Sequence, residues 1–321
     1  MNLTICSVSY NSSTEILNNF ALTQRMNDQQ PPCWIVADNS PADSSERLMS
    51  PPDGMMVIPG IDARNTPHYQ HTLALAETIK LARTRFILVL DPDFFIVRKN
   101  WSMDMIEHLR GHQLDFMGVP WHPQRTDKYR YFPAVHCAMF DTQRFDQGAI
   151  DFLPDFPNGE NDPLWPNGYR EEDNYYCVNP LTRFLTNLGL FSARKKYYLD
   201  TGSRLYKRFA SDNTVKFELI PPVFDPTRHA TTLTWQTRLL ERLLPDELCY
   251  VPKHYANNKS LSFLHQLLEG DIPENWEEFI WRELPFGFHM RRNAKSDSRS
   301  QALEREQAQQ ALRSLERLHL D

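Results

Sequence analysis

The sequence is short of glycine, cysteine and long apolar runs, and each shortage excludes something. Only 11 of its 321 residues are glycine, and the N-terminal segment SVSYNSSTEI has none of the glycines of a phosphate-binding loop. The five cysteines form no CxxC pair, so reduced thiols are expected in a chain of this length rather than a disulfide framework. No apolar run approaches the roughly 20 residues that span a bilayer, and residues 1–10 lack the features of a signal peptide. The sequence therefore predicts a soluble protein.

Positive charge is also in short supply. The chain has 35 Lys and Arg residues against 41 Asp and Glu residues, a formal net charge of -6. Because no basic excess is present to attract phosphate backbones, no nucleic-acid partner is predicted. Hydrophobic residues make up 41% and charged residues 24% of the chain, which is ordinary for a globular protein. The length suits one large α/β domain with additions, or two small domains.

Short apolar runs alternate with helical patterns over the first 90 or so residues. Each run is nearly continuous, as expected of strands buried on both faces of a sheet. The order strand, helix, strand, strand, helix, strand predicts an α/β protein with an open, mostly parallel sheet flanked by helices. The predicted strands are 3–9, 33–40, 55–60 and 85–91, and the predicted helices are 13–24 and 68–83.

The chain divides into three predicted regions. Residues 1–225 form the main domain, which includes a loop-rich segment with many Pro, Trp and Tyr residues. Residues 226–293 form a mostly helical region that completes the site. Residues 294–321 are a linker and an amphipathic tail helix, with mixed charges around Ala308, Leu312, Leu315 and Leu318. This helical C-terminal extension is predicted to dock on the domain, on a second copy of the chain or on a membrane surface. Its charge balance favours protein contact, because membrane-surface helices are usually more basic.

Polar residues follow each of the four predicted strands. In open α/β sheets, ligands bind beyond the carboxyl ends of the strands. Strand one ends at Ser9, Tyr10 and Asn11, strand two reaches Asp38, and strand four ends in Asp91-Pro92-Asp93. Carboxylates two positions apart suit Mg²⁺ or Mn²⁺ bound together with substrate phosphates. The alternative is a simple turn, since Asp and Pro are common turn residues.

These segments resemble a known family. LTICSVSYNS, WIVADNSP and FILVLDPDF are similar to the corresponding parts of the GT-A nucleotide-sugar glycosyltransferases, most closely the large family-2-like group. The resemblance covers about residues 1–100 and is patchy beyond them. It implies a GT-A type sheet and a donor such as a UDP- or GDP-sugar. It also implies a glycan or lipid-linked acceptor in surface polysaccharide or lipopolysaccharide assembly, in the cytoplasm or at the inner face of the membrane.

The resemblance also implies roles for individual residues. The metal, Mn²⁺ or Mg²⁺, would be held by the aspartate pair and a late histidine, and the nucleotide would be contacted by strand-end residues and the loop before the second helix. The implied metal ligands are Asp91, Asp93 and His289. The implied nucleotide contacts are Ser9, Tyr10, Asn11, Asp38, Arg64, Asn65, His71 and Asp91.

An inverting transfer needs a carboxylate that takes the proton of the acceptor hydroxyl. The segment GYREEDNYY matches the Glu-Asp pair of the family, which implies Asp173 as the base and Glu172 as its neighbour. Asp200 is the rival. The alternative for the acidic segment is a helix N-terminus, where the helix dipole favours acids.

Three other functions remain open on the sequence. A metal-dependent phosphohydrolase of the haloacid dehalogenase type also ends an apolar strand in D-x-D, but its later motifs are not found here. A nucleotidyltransferase would want a glycine-rich N-terminal loop. A non-catalytic GT-A-like protein would bind a glycan or a protein partner, although the intact carboxylates favour an enzyme.

Overall fold

The structure of the chain is a computed structural model. The structure describes residues 2–61, 67–125, 131–145, 147–154, 188, 201–210, 212–225, 239, 242–243, 253–268, 271–291 and 298–317.

Seven strands form the main sheet, in the order β3-β2-β1-β4-β7-β6-β8. Strands β1 to β4 pair with one another in parallel. Strand β7 runs antiparallel to both β4 and β6, and β6 pairs with β8 in parallel. The predicted open, mostly parallel sheet is confirmed. The strands are β1 Leu3–Ser9, β2 Cys33–Asp38, β3 Met55–Pro59, β4 Phe86–Leu90, β6 Phe116–Gly118, β7 Cys137–Asp141 and β8 Phe217–Leu219.

Two hydrophobic clusters cover the two faces of this sheet. Successive side chains of a strand point to opposite faces, and in β4 Leu88 belongs to one cluster while Val89 belongs to the other. Helices α1 and α3 contribute to the cluster of Leu88, and α2 and α4 contribute to the cluster of Val89. The sheet is thus flanked by helices on both faces, as predicted. The helices are α1 Ser13–Met26, α2 Pro67–Leu81, α3 Trp101–His112 and α4 Ser203–Phe209.

The buried stripe of α2 differs from the one that its sequence suggests. The apolar spacing predicts that Leu73, Ala76, Ile79 and Leu81 point inward. The structure instead buries Leu75, Ile79 and Ala82, and leaves Leu81 39% exposed. The buried residues follow the i, i+4, i+7 spacing of one helix face. The face that packs on the sheet therefore differs from the predicted one, and Ile79 is the residue that the two faces share.

A second, smaller sheet has the order β5-β11-β10-β9, and all its strands are antiparallel. Its strands are β5 Phe94–Ile96, β9 Pro222–Val223, β10 Trp276–Trp281 and β11 Leu284–Met290. The mostly helical character predicted for residues 226–293 therefore fails at residues 276–290. The aromatic and β-branched residues of WEEFIW favour a strand. Arg282 and Glu283 both have positive φ, which is the backbone of a two-residue hairpin turn. The short helix α5, Leu264–Leu267, precedes this hairpin.

The tail helix α6, Ser298–Arg317, docks on the body of its own chain. Ala308 and Ala311 are buried in the same cluster as Leu88, and α6 packs against α5. Arg305 pairs with Glu15, at 3.2 Å, and with Glu46, at 3.3 Å. Of the three surfaces considered for this helix, the structure shows the domain itself. Among the helices that the structure describes, none is long and apolar enough to cross a membrane.

Removing residues 300–321 is expected to destabilise the domain more than it changes the nucleotide binding that the sequence resemblance implies. Burial of apolar groups contributes about 0.8 kcal/mol per CH₂, so exposing the sites of Ala308, Ala311 and Leu312 is expected to lower the free energy of unfolding by about 2 kcal/mol. Urea denaturation measures this change, and calorimetry with UDP or GDP checks the binding. An unchanged denaturation midpoint would show that the docking is not stabilising. A change in molar mass by light scattering would point to a second copy of the chain instead.

Candidate functional site

The carboxyl ends of the four parallel strands meet at one edge of the main sheet. The pairing places Ser9 beside Asp38, and Asp38 beside Pro59. Strand β4 lies on the other side of β1 and ends at Leu90. The polar segments that follow the strands are therefore neighbours, as the sequence predicts.

Asp91-Pro92-Asp93 is the point at which the chain leaves the main sheet and enters the second one. Strand β4 ends at Leu90 and β5 begins at Phe94. The Phe94 amide donates to the Asp91 carbonyl at 3.1 Å, which closes a turn, and the Asp91 amide donates to the His136 carbonyl at 3.0 Å. The segment is thus a turn, as the alternative interpretation predicts. The same turn holds two carboxylates at the carboxyl edge of the main sheet, where open α/β sheets bind their ligands.

Asn19, a fully buried residue of α1, holds this turn from below. Its side-chain nitrogen donates to the Phe94 carbonyl at 2.7 Å and to the Pro92 carbonyl at 3.3 Å. A buried carbonyl without a donor costs free energy. Asn19 therefore fixes the backbone on which the two carboxylates sit.

Asn19→Ala is expected to lower the free energy of unfolding by about 1–3 kcal/mol, because it leaves buried carbonyls without a donor. Weaker metal binding is expected to accompany this loss, since the turn loses its support. Asn18→Ala, at the neighbouring and less buried position, is the control. Urea denaturation of both variants measures the difference. If the two variants unfold at the same urea concentration, the support assigned to Asn19 is wrong.

Strand pairing brings His289 to the aspartate pair. Strand β11 pairs with β5, which sets His289 opposite Phe94, and the Met290 amide donates to the Asp93 carbonyl at 2.8 Å. The Nε2 atom of His289 lies 3.2 Å from Oδ1 of Asp93. One ligand atom from each of Asp91, Asp93 and His289 lies within 4.8 Å of the others. The structure thus brings together the three residues predicted as metal ligands.

His71 faces the same group from the first turns of α2. Its Nε2 atom lies 3.9 Å from Oδ1 of Asp91. The His71 side chain is 28% exposed and the Asp91 side chain 22% exposed, so both are open to a ligand from solvent. Of the predicted nucleotide contacts Arg64, Asn65 and His71, only His71 is among the residues that the structure describes, and it lies beside Asp91.

Glu277 of β10 lies behind His289. Its Oε2 atom is 3.3 Å from Nδ1 of His289, although the two atoms do not have hydrogen-bond geometry. The other carboxylate oxygen, Oε1, accepts hydrogen bonds from Arg291 at 2.8 Å and from Arg125 and Gln124 at 3.2 Å each. Glu277 is completely buried, so these donors balance the cost of burying its charge.

The pKa values of these groups are shifted by burial and by each other. Burial raises the pKa of Asp91, against the opposing effect of nearby His71. Burial also acts to raise the pKa of Glu277, but Arg291 and His289 outweigh it and hold that pKa well below its usual range. Burial and Arg291 act to lower the pKa of His289, while Asp93 and Glu277 outweigh them, so that its pKa is raised. Perturbed groups of this kind cluster at functional sites.

The strand-end residues differ in what they offer to a ligand. Tyr10 is 58% exposed, so its ring is accessible to the base of a nucleotide. Ser9 is fully buried, and its hydroxyl has no hydrogen-bond partner. Asn11 has a left-handed backbone with φ of 50°, and its side-chain oxygen accepts a hydrogen bond from Ser44 at 2.7 Å. The contacts of Ser9, Tyr10 and Asn11 with a nucleotide stay predictions.

Asp38 stabilises the loop that follows β2. Its two carboxylate oxygens accept hydrogen bonds from the backbone amides of Ser40, at 3.0 Å, and Leu48, at 2.8 Å. The residue is only 4% exposed. Its predicted contact with the base or ribose stays a prediction.

Several predicted residues lie outside the residues that the structure describes. They are the nucleotide contacts Arg64 and Asn65, the predicted base Asp173, its neighbour Glu172 and the rival Asp200.

Two aromatic or basic residues near the site have structural contacts. Trp121 is buried, and its ring centroid lies 4.5 Å from the Arg291 guanidinium carbon. Arg291 also forms an ion pair with Glu277.

Sequence reasoning missed Asn19, Glu277 and His136. The signals were present but weak. Glu277 is an acid inside the apolar run WEEFIW, and His136 is a polar residue inside AVHCAMF. Charged residues are almost never fully buried unless they are paired, so an acid within a buried strand indicates a partner close by.

Comparisons with known proteins give distant structural similarities only. Neither a scan against protein-family models nor a search of curated proteins found a match. Among solved structures, the chain is similar to the mannosyltransferase PcManGT from Pyrobaculum calidifontis in complex with GDP-Man and Mn²⁺. The identity is 11% over 44% of this chain and 45% of that chain, with a TM-score of 0.33.

A second similarity is to TarS residues 1–349 from S. aureus in complex with UDP-GlcNAc. The identity is 18% over 47% of this chain and 48% of that chain, with a TM-score of 0.34. The longer TarS structure gives 16% identity over 47% of this chain and 30% of that chain, with a TM-score of 0.35. The chain therefore matches half or less of the length of each of these structures.

Proposed function

We propose that this protein is a metal-dependent glycosyltransferase of the GT-A type. It moves a sugar from a nucleoside-diphosphate donor, such as a UDP- or GDP-sugar, to a glycan or lipid-linked acceptor, with inversion. Surface polysaccharide or lipopolysaccharide assembly at the cytoplasmic face of a membrane is the setting that the sequence resemblance favours.

One observation carries the proposal. Asp91, Asp93 and His289 converge at the carboxyl edge of a mostly parallel sheet, although Asp93 and His289 are 196 positions apart in the chain. This edge is where open α/β sheets bind their ligands. The three residues come from the end of β4 and from β11, two strands of different sheets.

The donor atoms present fit the metal that the resemblance implies. Carboxylates suit Mg²⁺ and Mn²⁺, and an imidazole ligand favours a transition ion. Two carboxylates and one imidazole therefore suit Mn²⁺ better than Mg²⁺. A bound Mn²⁺ would neutralise charge on the diphosphate of the donor and of the departing nucleotide.

The remaining residues bind the donor or orient the groups that take part in the transfer. His71, beside Asp91 and partly exposed, is placed to donate a hydrogen bond to a phosphate oxygen. The exposed ring of Tyr10 offers a stacking surface for the base. Glu277 lies behind the His289 ring, with its Oε2 atom 3.3 Å from Nδ1, and its negative charge favours the ring orientation in which Nε2 faces Asp93. Asp173 takes the proton of the attacking acceptor hydroxyl, and Glu172 orients the acceptor or Asp173 itself.

A thermal-shift panel tests the donor class. UDP, GDP and CMP, each with Mn²⁺ and each with EDTA, are compared on the full chain. The proposal expects one nucleoside diphosphate to raise the melting temperature with Mn²⁺ and to lose this effect with EDTA. Binding at 100 times the dissociation constant stabilises a protein by about 2.7 kcal/mol, which is readily measured. If no nucleotide stabilises the protein under either condition, the proposed donor site is wrong.

A further inference from the structure

A second group of metal-ligating side chains lies directly behind the aspartate pair. One ligand atom from each of His136, Glu277 and His289 lies within 4.8 Å of the others. All three residues are buried, with exposures of 0%, 0% and 2%. His136 comes from the chain just before β7, Glu277 from β10 and His289 from β11, so three separate segments contribute one residue each.

The atoms of this group lack hydrogen-bond partners within the protein. Both ring nitrogens of His136, the Oε2 atom of Glu277 and the Nδ1 atom of His289 are buried without one. An unsatisfied buried polar atom costs about 1–3 kcal/mol, and such atoms are rare enough that each calls for an explanation. Here the unsatisfied atoms are close neighbours, so a single occupant would satisfy a ligand atom from each residue.

The chemistry of the group points to a metal ion. Both ring nitrogens of His136 lack a hydrogen-bond partner, and a ring nitrogen of histidine is the commonest metal ligand in proteins. The Oε1 atom of Glu277 accepts hydrogen bonds from Arg291 and Arg125, which leaves its Oε2 atom for a ligand. Two imidazoles and one carboxylate form a known zinc ligand set that leaves one position open.

The distances are compatible with such an ion. A tetrahedral zinc ion with bonds of about 2.0–2.1 Å holds its ligand atoms about 3.4 Å apart. The Nδ1 atom of His289 and the Oε2 atom of Glu277 are already 3.3 Å apart. The ring of His136 is stacked on that of His289, with centroids 4.7 Å apart and planes at 24°, so His136 is a direct neighbour of the other two ligands.

We propose that His136, Glu277 and His289 form a buried transition-metal site of the zinc type, which shares His289 with the aspartate pair. The two ring nitrogens of His289 face different groups, Nδ1 towards Glu277 and Nε2 towards Asp93. A neutral imidazole carries one proton. A metal on Nδ1 therefore leaves Nε2 protonated and donating to Asp93, and a metal on Nε2 leaves the proton on Nδ1, facing Glu277.

The consequence is that the two metals compete for one histidine. Zinc in the buried site removes His289 from the ligands of the aspartate pair, and so weakens Mn²⁺ there. This consequence rests on the proposed function, because it requires Mn²⁺ at the aspartate pair. The existence of the buried site does not.

Binding of Zn²⁺ to variants of the full chain tests the site itself. The Asp91→Asn/Asp93→Asn variant removes the carboxylates of the outer group and is expected to bind one Zn²⁺ still. Adding His136→Phe to it is expected to weaken Zn²⁺ binding by more than about 100-fold, since loss of an outer-shell residue alone costs about 10–100-fold. Phenylalanine suits the aromatic surroundings of Phe94, Trp121 and Phe279. His136→Gln is the second variant if the first does not fold.

X-ray absorption at the zinc edge supplies a readout that does not depend on activity. The Asp91→Asn/Asp93→Asn protein is expected to show two imidazole ligands. A spectrum that shows only one imidazole ligand would overturn the buried site. An equal Zn²⁺ affinity of the proteins with and without His136 would also overturn it.

Competition with Mn²⁺ is measured separately, by the electron paramagnetic resonance signal of free Mn²⁺. One equivalent of Zn²⁺ is expected to release Mn²⁺ from the wild-type protein but not from His136→Phe. If the zinc-edge result holds and Zn²⁺ releases no Mn²⁺ from the wild type, the sharing of His289 is wrong while the buried site stands. If the wild type binds no Mn²⁺ at all, the proposed function fails at the aspartate pair, again without affecting the buried site.

Discussion

Asp93→Asn is expected to abolish the Mn²⁺-dependent binding of a nucleoside diphosphate while leaving the fold intact. Asparagine keeps the shape of the side chain but removes the charge that makes it a ligand for a hard cation. Even the loss of a residue that only orients a metal ligand costs about 10–100-fold in metal affinity. The loss of a direct ligand is therefore expected to exceed about 100-fold, as measured by calorimetry with UDP and GDP in Mn²⁺.

The fold is expected to survive because Asp93 contacts β11 through its backbone carbonyl, which accepts from Met290, and this bond is unaffected by the substitution. Asp53→Asn, at an exposed position, is the control for the change of charge. Circular dichroism and urea denaturation check the folded state of both variants. Unchanged Mn²⁺-dependent binding in Asp93→Asn would remove Asp93 from the metal site.

Asp173→Asn is expected to slow sugar transfer by about 10²–10⁴-fold, the usual cost of losing a general base, with donor binding unchanged. An inverting transfer is a single displacement, so the base must face the anomeric carbon from the acceptor side. GYREEDNYY is a strongly acidic segment of the region that is predicted to be rich in loops, and its tyrosines would offer surfaces for an acceptor ring. Steady-state transfer rates at saturating donor measure the effect.

Asp200→Asn is the matched variant for this test, since it makes the same chemical change at the rival position. Since Asp173 is assigned as the base, we expect Asp200→Asn to keep most of the transfer rate. If Asp173→Asn keeps it and Asp200→Asn loses it, the base is Asp200. Calorimetric titration with the nucleoside diphosphate separates a loss of rate from a loss of donor binding in both variants.

The main sheet could be predicted because its strands are buried on both faces. A strand in that position reads as an unbroken apolar run, as FILVL in β4 does, and parallel strands require crossovers such as α1 and α2. The polar strand ends then follow from the topology. The position of Asp91 and Asp93 at the ligand-binding edge was therefore within reach of the sequence.

The second sheet could not be predicted from the sequence, because the residues within each strand do not specify which strand it pairs with. Strand β5 has only three residues, and it gains its partner from β11 near the end of the described chain. Short apolar runs such as WEEFIW do not distinguish strand from helix by periodicity alone. The sequence resemblance suggested His289 as a ligand, but the contact with Asp93 depends on this distant pairing.

The residues behind the site were missed for a related reason. Glu277 and His136 acquire their chemistry from burial beside His289, and a sequence does not show which buried positions adjoin each other. Asn19 likewise reads as an ordinary polar residue of a helix until the fold brings it under the Asp91-Pro92-Asp93 turn.

Donor turnover by the purified chain tests the central claim most directly. The full-length protein with Mn²⁺ is incubated with UDP-, GDP- and CMP-sugars, and the release of nucleotide is followed by phosphorus NMR. The account predicts slow hydrolysis of a UDP- or GDP-sugar that yields the intact nucleoside diphosphate, stops with EDTA and is absent in Asp93→Asn. Release of inorganic phosphate from a phosphate monoester, with no cleavage of any nucleotide sugar, would contradict it in favour of a phosphohydrolase.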